Sequence, residues 1–309
     1  METVIESVSG APHDAFFLVL PYLPLYHLLT IGQVCKSFRE ALNQDILPWL
    51  HLIIDIPLSP RLSDQILIKL TSKANSRLTT LVLRNCARIS DDGLLRVIHN
   101  NPLITKLHLP GCTSLTPEGI IRAVETLSQN KTSLNSLRIN GIPNLNKHHL
   151  QTLSSYLQTS TPPEKSQPIL YHLRRTFPSE SDGLIDVDVC PRCQEIKMVF
   201  ECSREGCRQK KRAQDQVLAD CRGCNLCIPR CEECGGCIDS EEELEEAVCS
   251  DILCRDCWLS LPKCNHCNKP YCKHHTNLQY SSLDCAGFVC ETCHFQATTN
   301  SSFSSDAAE

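Results

Sequence analysis

From residue 190 onward the chain is a ladder of closely spaced cysteines: Cys190 and Cys193, Cys202 and Cys207, Cys221, Cys224 and Cys227, Cys231, Cys234 and Cys237, Cys249, Cys254 and Cys257, Cys264 and Cys267, Cys272, Cys285, Cys290 and Cys293. His266, His274, His275 and His294 stand among them. A C-x₂-C turn places two thiolates on one side of a tight loop, and two such turns complete a tetrahedron around Zn²⁺. Six separate C-x₂-C pairs make zinc the leading reading. An iron–sulfur cluster competes, but it needs fewer ligands and would leave most of these cysteines unexplained. The 19 cysteines of this half, with one or two histidines (His275 foremost), suffice for four or five tetrahedral sites. Protein would fill every coordination position, so the sites should be structural. The densest stretch, CRGCNLCIPRCEECGGC over 221–237, should feed at least two of them.

The surrounding composition agrees with metal over disulfides. The N-terminus METVIESVSGAPHDAFFLVL has no basic residue before its apolar run, unlike a secretory signal, and no stretch offers eighteen uninterrupted apolar residues. No membrane is expected, and an intracellular compartment, cytoplasm and/or nucleus, keeps thiols reduced. Residues 190–309 carry 13 Lys+Arg against 19 Asp+Glu. Each Cys₄Zn site adds a net charge of −2, so nucleic acid is a poor partner for this half. Its large apolar residues are few, so metal binding should carry much of the folding free energy.

The first half must position whatever these sites serve. Over residues 12–50, Phe16, Leu20 and Leu23, then Leu28 and Leu29, then Val34, Phe38 and Leu42 recur at helical spacing. Pro21 and Pro24 should stop or bend the first helix, which predicts three short helices. Beyond them, RLTTLVLRNCARISDDGL (77–94) recurs as LITKLHLPGCTSLTPEGI (103–120), with Leu81, Leu83, Cys86 and Gly93 each 26 residues before Leu107, Leu109, Cys112 and Gly119. A third copy uses Leu134, Leu137, Ile139, Ile142 and Leu145, and a degenerate earlier one Ile54, Ile56, Leu62 and Asp64. The pattern fits about four leucine-rich repeats, each a short strand, a turn and a helix. Cys86 and Cys112 should then be core residues, and Val82 and His108, alternating with Leu83 and Leu109, should face solvent. The acidic run 239–247 reads as a solvated helix or loop, and the basic RQKKR of 208–212 as a charged surface.

The first stretch resembles the F-box, the helical module that docks F-box proteins onto the Skp adaptor of cullin-based ubiquitin ligases. The matching elements are Pro12 with Asp14, the series Phe16, Leu20 and Leu23, Pro24, the pair Leu28–Leu29, VCKSFR at 34–39 and LPW at 47–49. With the cysteine-containing repeats, the whole resembles F-box/leucine-rich-repeat proteins of Skp–cullin–F-box (SCF) ligases, of the plant Skp-interacting-partner type. The resemblance implies adaptor binding through Pro12, Phe16, Leu20, Leu23, Pro24, Leu28, Leu29, Val34, Cys35, Phe38 and Trp49. It also implies contact, through the adaptor, with cullin and RING subunits, a target protein that the sequence does not name, and no catalytic residue in this chain.

Two other readings use the same residues. CRDCWLSLPKCNHCNKPYCKHH (254–275) superficially resembles a RING domain, which would engage a conjugating enzyme directly, though its gap between Cys257 and Cys264 is short. Zinc-dependent nucleic-acid binding lacks the basic–aromatic interleaving it needs. The expected class is α+β and multi-domain: F-box over 10–50, repeats over 51–157, linker over 158–189, a small zinc-stabilised domain over 190–297 and a disordered tail over 298–309.

Overall fold

In the computed structural model the described residues are 13, 15–130, 134–157, 170–171, 184–207, 221–238, 244–281 and 287–302. They divide into two compact units. The first holds the described residues up to 157 with 184–189 and 195–197; the second holds 170–171, 190–194 and those from 198 on.

Three helices open the first unit. Pro21 has no N–H to continue a helix, so α1 (Ala15–Val19) passes at once into a 3₁₀ turn over Leu20–Tyr22. The second helix, α2 (Leu25–Val34), starts after Pro24, and an extended Cys35 separates it from α3 (Lys36–Gln44). A further 3₁₀ turn, Leu47–Trp49, folds the indole back so that its Nε1–H donates to the Leu42 carbonyl at 2.9 Å. Leu20, Leu25, Leu28, Leu42 and Trp49 are buried. Phe16 and Phe17 pack on Phe38 with ring centroids 6.5 and 5.3 Å away.

Four strand–helix units follow: β1 (His51–Ile54) with α4 (Asp64–Thr71), β2 (Thr80–Leu83) with α5 (Asp91–Asn100), β3 (Lys106–His108) with α6 (Pro117–Gln129), and β4 (Ser136–Arg138) with α7 (Lys147–Leu157). Parallel neighbours need a crossover, which each helix supplies. The sheet runs β1-β2-β3-β4, with Leu52, Leu81, Leu107 and Leu137 in register across it. These leucines are buried together with Ile54, Leu83, Leu109 and Ile139, against helix residues such as Val97, Val124 and Leu153. Cys86 and Cys112 are fully buried, Cys112 donating its thiol to the Leu83 carbonyl at 3.4 Å.

A second repeating contact locks each turn to the next. Asp64 accepts from the Ser90 amide at 3.0 Å and the Ser90 hydroxyl at 2.6 Å, while Ser90 caps α5 by accepting from Gly93 N. One repeat on, Asp91 accepts from Thr116 N at 3.0 Å and its hydroxyl at 2.6 Å, and Thr116 caps α6 through Gly119 N. Glycine is required at both ends. A Cβ on Gly93 or Gly119 would collide with the Asp64 or Asp91 carboxylate.

Several expectations change. The interior pair of the earliest copy is Leu52 and Ile54; the chain turns after β1 and leaves Ile56 74% exposed. Val82 is buried, flanked across the sheet by the larger Ile53 and His108, while His108 is half-buried and bonds Ser136 Oγ at 2.9 Å. Residues 184–186, read as linker, line the open edge of the sheet instead. Leu137 N donates to Leu184 O at 2.7 Å, and the buried Asp186 carboxylate accepts from Ile139 N and Asn140 N at 2.8 and 3.3 Å.

The second unit is made of short pieces: two antiparallel ribbons, β7 (Leu244–Glu246) with β8 (Ile252–Cys254) and β9 (Gln279–Ser281) with β10 (Phe288–Cys290), and helices Arg255–Ser260 and Glu291–Ser302. A further ribbon, β5 (Asp188–Val189) with β6 (Ile196–Lys197), belongs to the first unit. Part of the acidic run is therefore strand β7, and part of the expected tail, 298–302, is helix. RQKKR, residues 239–243 and 303–309 lie outside the described residues. Small buried clusters in this unit are built around cysteines, such as Cys231, Ile238, Leu253, Cys254 and Cys272.

Candidate metal centres

Four of the turns that present the cysteines share one local geometry. Gln194 N donates to Cys190 O at 2.9 Å, Ile228 N to Cys224 O at 3.1 Å, Gly235 N to Cys231 O at 2.8 Å and Asn268 N to Cys264 O at 3.0 Å. In three of the four the residue after the second cysteine is left-handed: Gln194 (φ 62°), Gly235 (φ 73°) and Asn268 (φ 55°). That conformation disfavours most side chains and reverses the chain, which brings the two sulfurs to one side.

Among the described residues five groups of donor atoms result, all atoms in each within 4.8 Å of one another. Cys190 and Cys193 meet Cys224 and Cys227; Cys202 and Cys207 meet Cys221 and Cys237; Cys231 and Cys234 meet Cys254 and Cys257; Cys264 and Cys267 meet Cys290 and Cys293. The fifth joins Cys249, Asp251, Cys272 and His275. The stretch 221–237 thus serves three groups: its outer cysteines one, its inner pairs one each. The buried Arg230 anchors its start, donating to the Phe200 carbonyl at 2.9 Å and the Cys221 carbonyl at 2.5 Å.

Spacing tests the donors against the alternatives. Bonds of ~2.3 Å from a tetrahedral metal hold two sulfurs about 3.8 Å apart, whereas a disulfide holds them at about 2.05 Å. Cys193–Cys224 at 4.0 Å, Cys207–Cys237 at 3.8 Å, Cys234–Cys254 at 3.9 Å and Cys267–Cys290 at 3.8 Å match the metal value. Among the described residues every cysteine is a free thiol. The residues present fit metal ions.

Electrostatics favour a thiolate at one cysteine in each of three groups. Burial alone would raise the Cys190 thiol, but the amides of Cys193, Cys224 and Arg192 bring it down to about 6. The amides of Cys267, Cys290 and His266 do the same for Cys264, also to about 6. Cys202, bonded by the Cys237 thiol, falls to about 4. Their partners move the other way: Cys207 and Cys293 are pushed up to about 12, chiefly by burial. Each such group holds protons between its sulfurs that a bound cation displaces.

All the candidate cysteines and His275 fall into these groups except Cys285, which lies outside the described residues. Asp251 is the addition. A lone aspartate in an acidic half gives no sequence signal; the clue is that Cys249 has no close cysteine neighbour. His294 instead stacks on Tyr280, centroids 4.3 Å apart.

The adaptor-binding candidates divide by exposure. Leu20, Leu28 and Trp49 are buried; Leu23, Leu29, Cys35 and Phe38 are half-buried; Phe16, Pro24 and Val34 are exposed; Pro12 lies outside the described residues. Leu18, Val19, Tyr22 and Tyr26, which helical periodicity passes over, are also exposed. Among the described residues no helix is long and apolar enough to cross a membrane.

Comparison with known proteins joins the two halves. The model of the family described as "At3g27290 F-box protein C-terminal domain" matches residues 186–266, which include three of the five donor groups complete. The chain is 44% identical to "F-box protein SKIP28" of Arabidopsis thaliana over 309 residues, 97% of this chain and 96% of that one. Identity to "F-box protein SKIP14" of the same organism is 34% over 245 residues, 78% of this chain and 53% of that one. To "F-box protein At3g27290", also of that organism, it is 33% over 235 residues, 74% and 61%. Because the similarity to the first of these runs through helical module, strand–helix units and cysteine ladder alike, this chain belongs to the F-box proteins of the Skp-interacting-partner type.

Proposed function

We propose that the chain is the substrate-recruiting, non-catalytic subunit of an SCF-type ubiquitin ligase. Its helical module binds the Skp adaptor, and through it the cullin and RING subunits. The strand–helix units form a leucine-rich-repeat arc, residues 190–297 form a zinc domain, and one or both hold a target protein for ubiquitination and degradation. The chemistry is positioning: held near a ubiquitin-loaded enzyme, a target lysine reacts at high effective concentration.

One observation carries the adaptor reading. In a module of some forty residues, Phe16, Leu18, Tyr22 and Val34 are 60, 76, 85 and 72% exposed around a buried leucine and tryptophan core. So much uncovered apolar surface on so small a body marks a docking face. Leu20, Leu28 and Trp49 then serve adaptor binding by shaping the module, while Phe16, Pro24 and Val34, joined by Leu18 and Tyr22, make contact. The test is co-purification of the full chain with a Skp adaptor. Tyr22→Asp and Val34→Asp should abolish capture with the fold intact, and capture surviving both would reject the reading.

Zinc is the ion these donors suit. Four all-thiolate tetrahedra and one mixed group match its ligand preferences, and no group leaves a position for substrate. Over 231–275 the pairs interleave, Cys231/Cys234 with Cys254/Cys257 and Cys249/Asp251 with Cys272/His275, which is the cross-brace order of the RING alternative. Within 254–275 alone the pairs Cys254/Cys257, Cys264/Cys267 and Cys272/His275 go to three different groups, so no two-site cross-brace lies inside that stretch.

A further inference from the structure

Four of the five groups are uniform, and the fifth is not. It lies where the turn between β7 and β8 meets the segment after Tyr271. Ser250 is left-handed (φ 59°), Ala247 N donates to Asp251 O at 3.0 Å, and Val248 N ties the turn to Pro270 O at 2.9 Å. That turn aims the Asp251 carboxylate inward. Its Oδ2 lies 3.0 Å from Cys272 Sγ, 3.0 Å from His275 Nδ1 and 3.4 Å from Cys249 Sγ, and Cys272 Sγ is 3.2 Å from the same imidazole nitrogen. Four donors of three kinds thus converge, those four separations lying between 3.0 and 3.4 Å and all within 4.8 Å. The aspartate is mostly enclosed, its side chain 16% exposed.

We propose that Asp251 is a metal ligand, and that the Cys249–Asp251–Cys272–His275 group is the exchangeable zinc site of this protein. The proposal rests on the zinc reading above and adds to it. Thiolates are soft donors that hold Zn²⁺ tightly, whereas a carboxylate is a hard donor better suited to Mg²⁺ or Ca²⁺. With two thiolates, one carboxylate and a neutral imidazole, the loaded site has net charge −1, against −2 for each Cys₄ site. Both differences weaken the hold on the ion relative to its four neighbours. The position gives exchange a consequence. Cys254, at the end of β8, belongs to one thiolate group, and Cys264/Cys267, shortly before Cys272, to another. Emptying the fifth site frees the β7–β8 turn from the 272–275 segment while the flanking sites keep their own ions, so this face can respond to available zinc without the unit unfolding.

The experiment uses the full chain loaded with zinc, counted by elemental analysis and stripped over time with a thiol-free chelator. The wild type should carry five ions and lose one about tenfold faster than the rest. Asp251→Ala should carry four ions while its thiolate sites stay loaded. Asp251→Cys should carry five and lose the fast phase, which guards against a variant that merely misfolds. Five ions retained in Asp251→Ala, uniform release from the wild type, or loss of the fast ion on Cys285→Ser with Asp251→Ala unaffected would each overturn the assignment. Iron, or no metal, throughout the wild-type chain would instead remove the zinc reading and this inference with it.

Discussion

Single residues carry the junctions between repeats, and the Asp91–Thr116–Gly119 contact shows how. In an ordinary helix Gly→Ala is stabilising by roughly 0.5–1 kcal/mol. Here the added methyl meets the Asp91 carboxylate, which must give up its bonds to the Thr116 amide and hydroxyl. Gly119→Ala should therefore destabilise by about 1–3 kcal/mol in urea denaturation. The penalty should shrink sharply in an Asp91→Ala background, because the two substitutions share one contact. His108 gives a second residue-scale expectation. Burial, with Arg138, Lys106 and Arg84 nearby, lowers its imidazole to about 4. A folded pKa below the unfolded one, about 6.5, means that the unfolded chain takes up the proton first. The contribution is thus present above pH 6.5 and is lost as pH falls toward 4. A nitrogen-detected NMR titration should show His108 neutral at pH 5.5, where exposed histidines are largely charged. Neither the carboxylate ladder nor this shift is legible in the sequence. Gly93 and Gly119 are visible as repeated positions, but the reason for them is a side chain 28 or 29 residues away.

At the scale of elements, the repeat was legible wherever its spacing held. The 26-residue interval between Leu81 and Leu107 sets the register of β2 against β3, as their pairing shows. The earliest copy was misread by two residues, since alternation along a strand looks the same after a shift of two. Only the turn after Ile54 decides that Leu52 lies inside and Ile56 outside. The helical module obeys the same limit. Leu28 and Val34 both fit the apolar period of α2, yet one is 2% exposed and the other 72%. Their substitutions should therefore separate. Leu28→Asp should lower the melting temperature of the full chain, because an unpaired carboxylate in an apolar core costs several kcal/mol. Val34→Asp should leave melting unchanged and abolish adaptor capture alone.

For the whole molecule, the two units rest on different physics. The first buries rows of leucine, isoleucine and valine, while the buried clusters of the second are largely cysteine. A strong chelator should abolish the second unit's unfolding transition and leave the first unit's in place, as scanning calorimetry with and without chelator would read. The ladder itself was legible as a set of candidate metal ligands, because two cysteines separated by two residues suit a tetrahedral ion. Which pairs share an ion was not, since Cys231 and Cys234 sit between Cys221 and Cys237 in sequence yet belong to another group. That interleaving fixes a timetable for synthesis. The groups receive their last ligand in the order Cys227, Cys237, Cys257, His275 and Cys293. A nascent chain emerging from the ribosome can therefore close one candidate ion cage at a time. Chains halted after Cys237, Cys257, His275 and Cys293 should retain two, three, four and five ions in turn. A premature stop just after Cys237 would spare the first two cages and forfeit the other three.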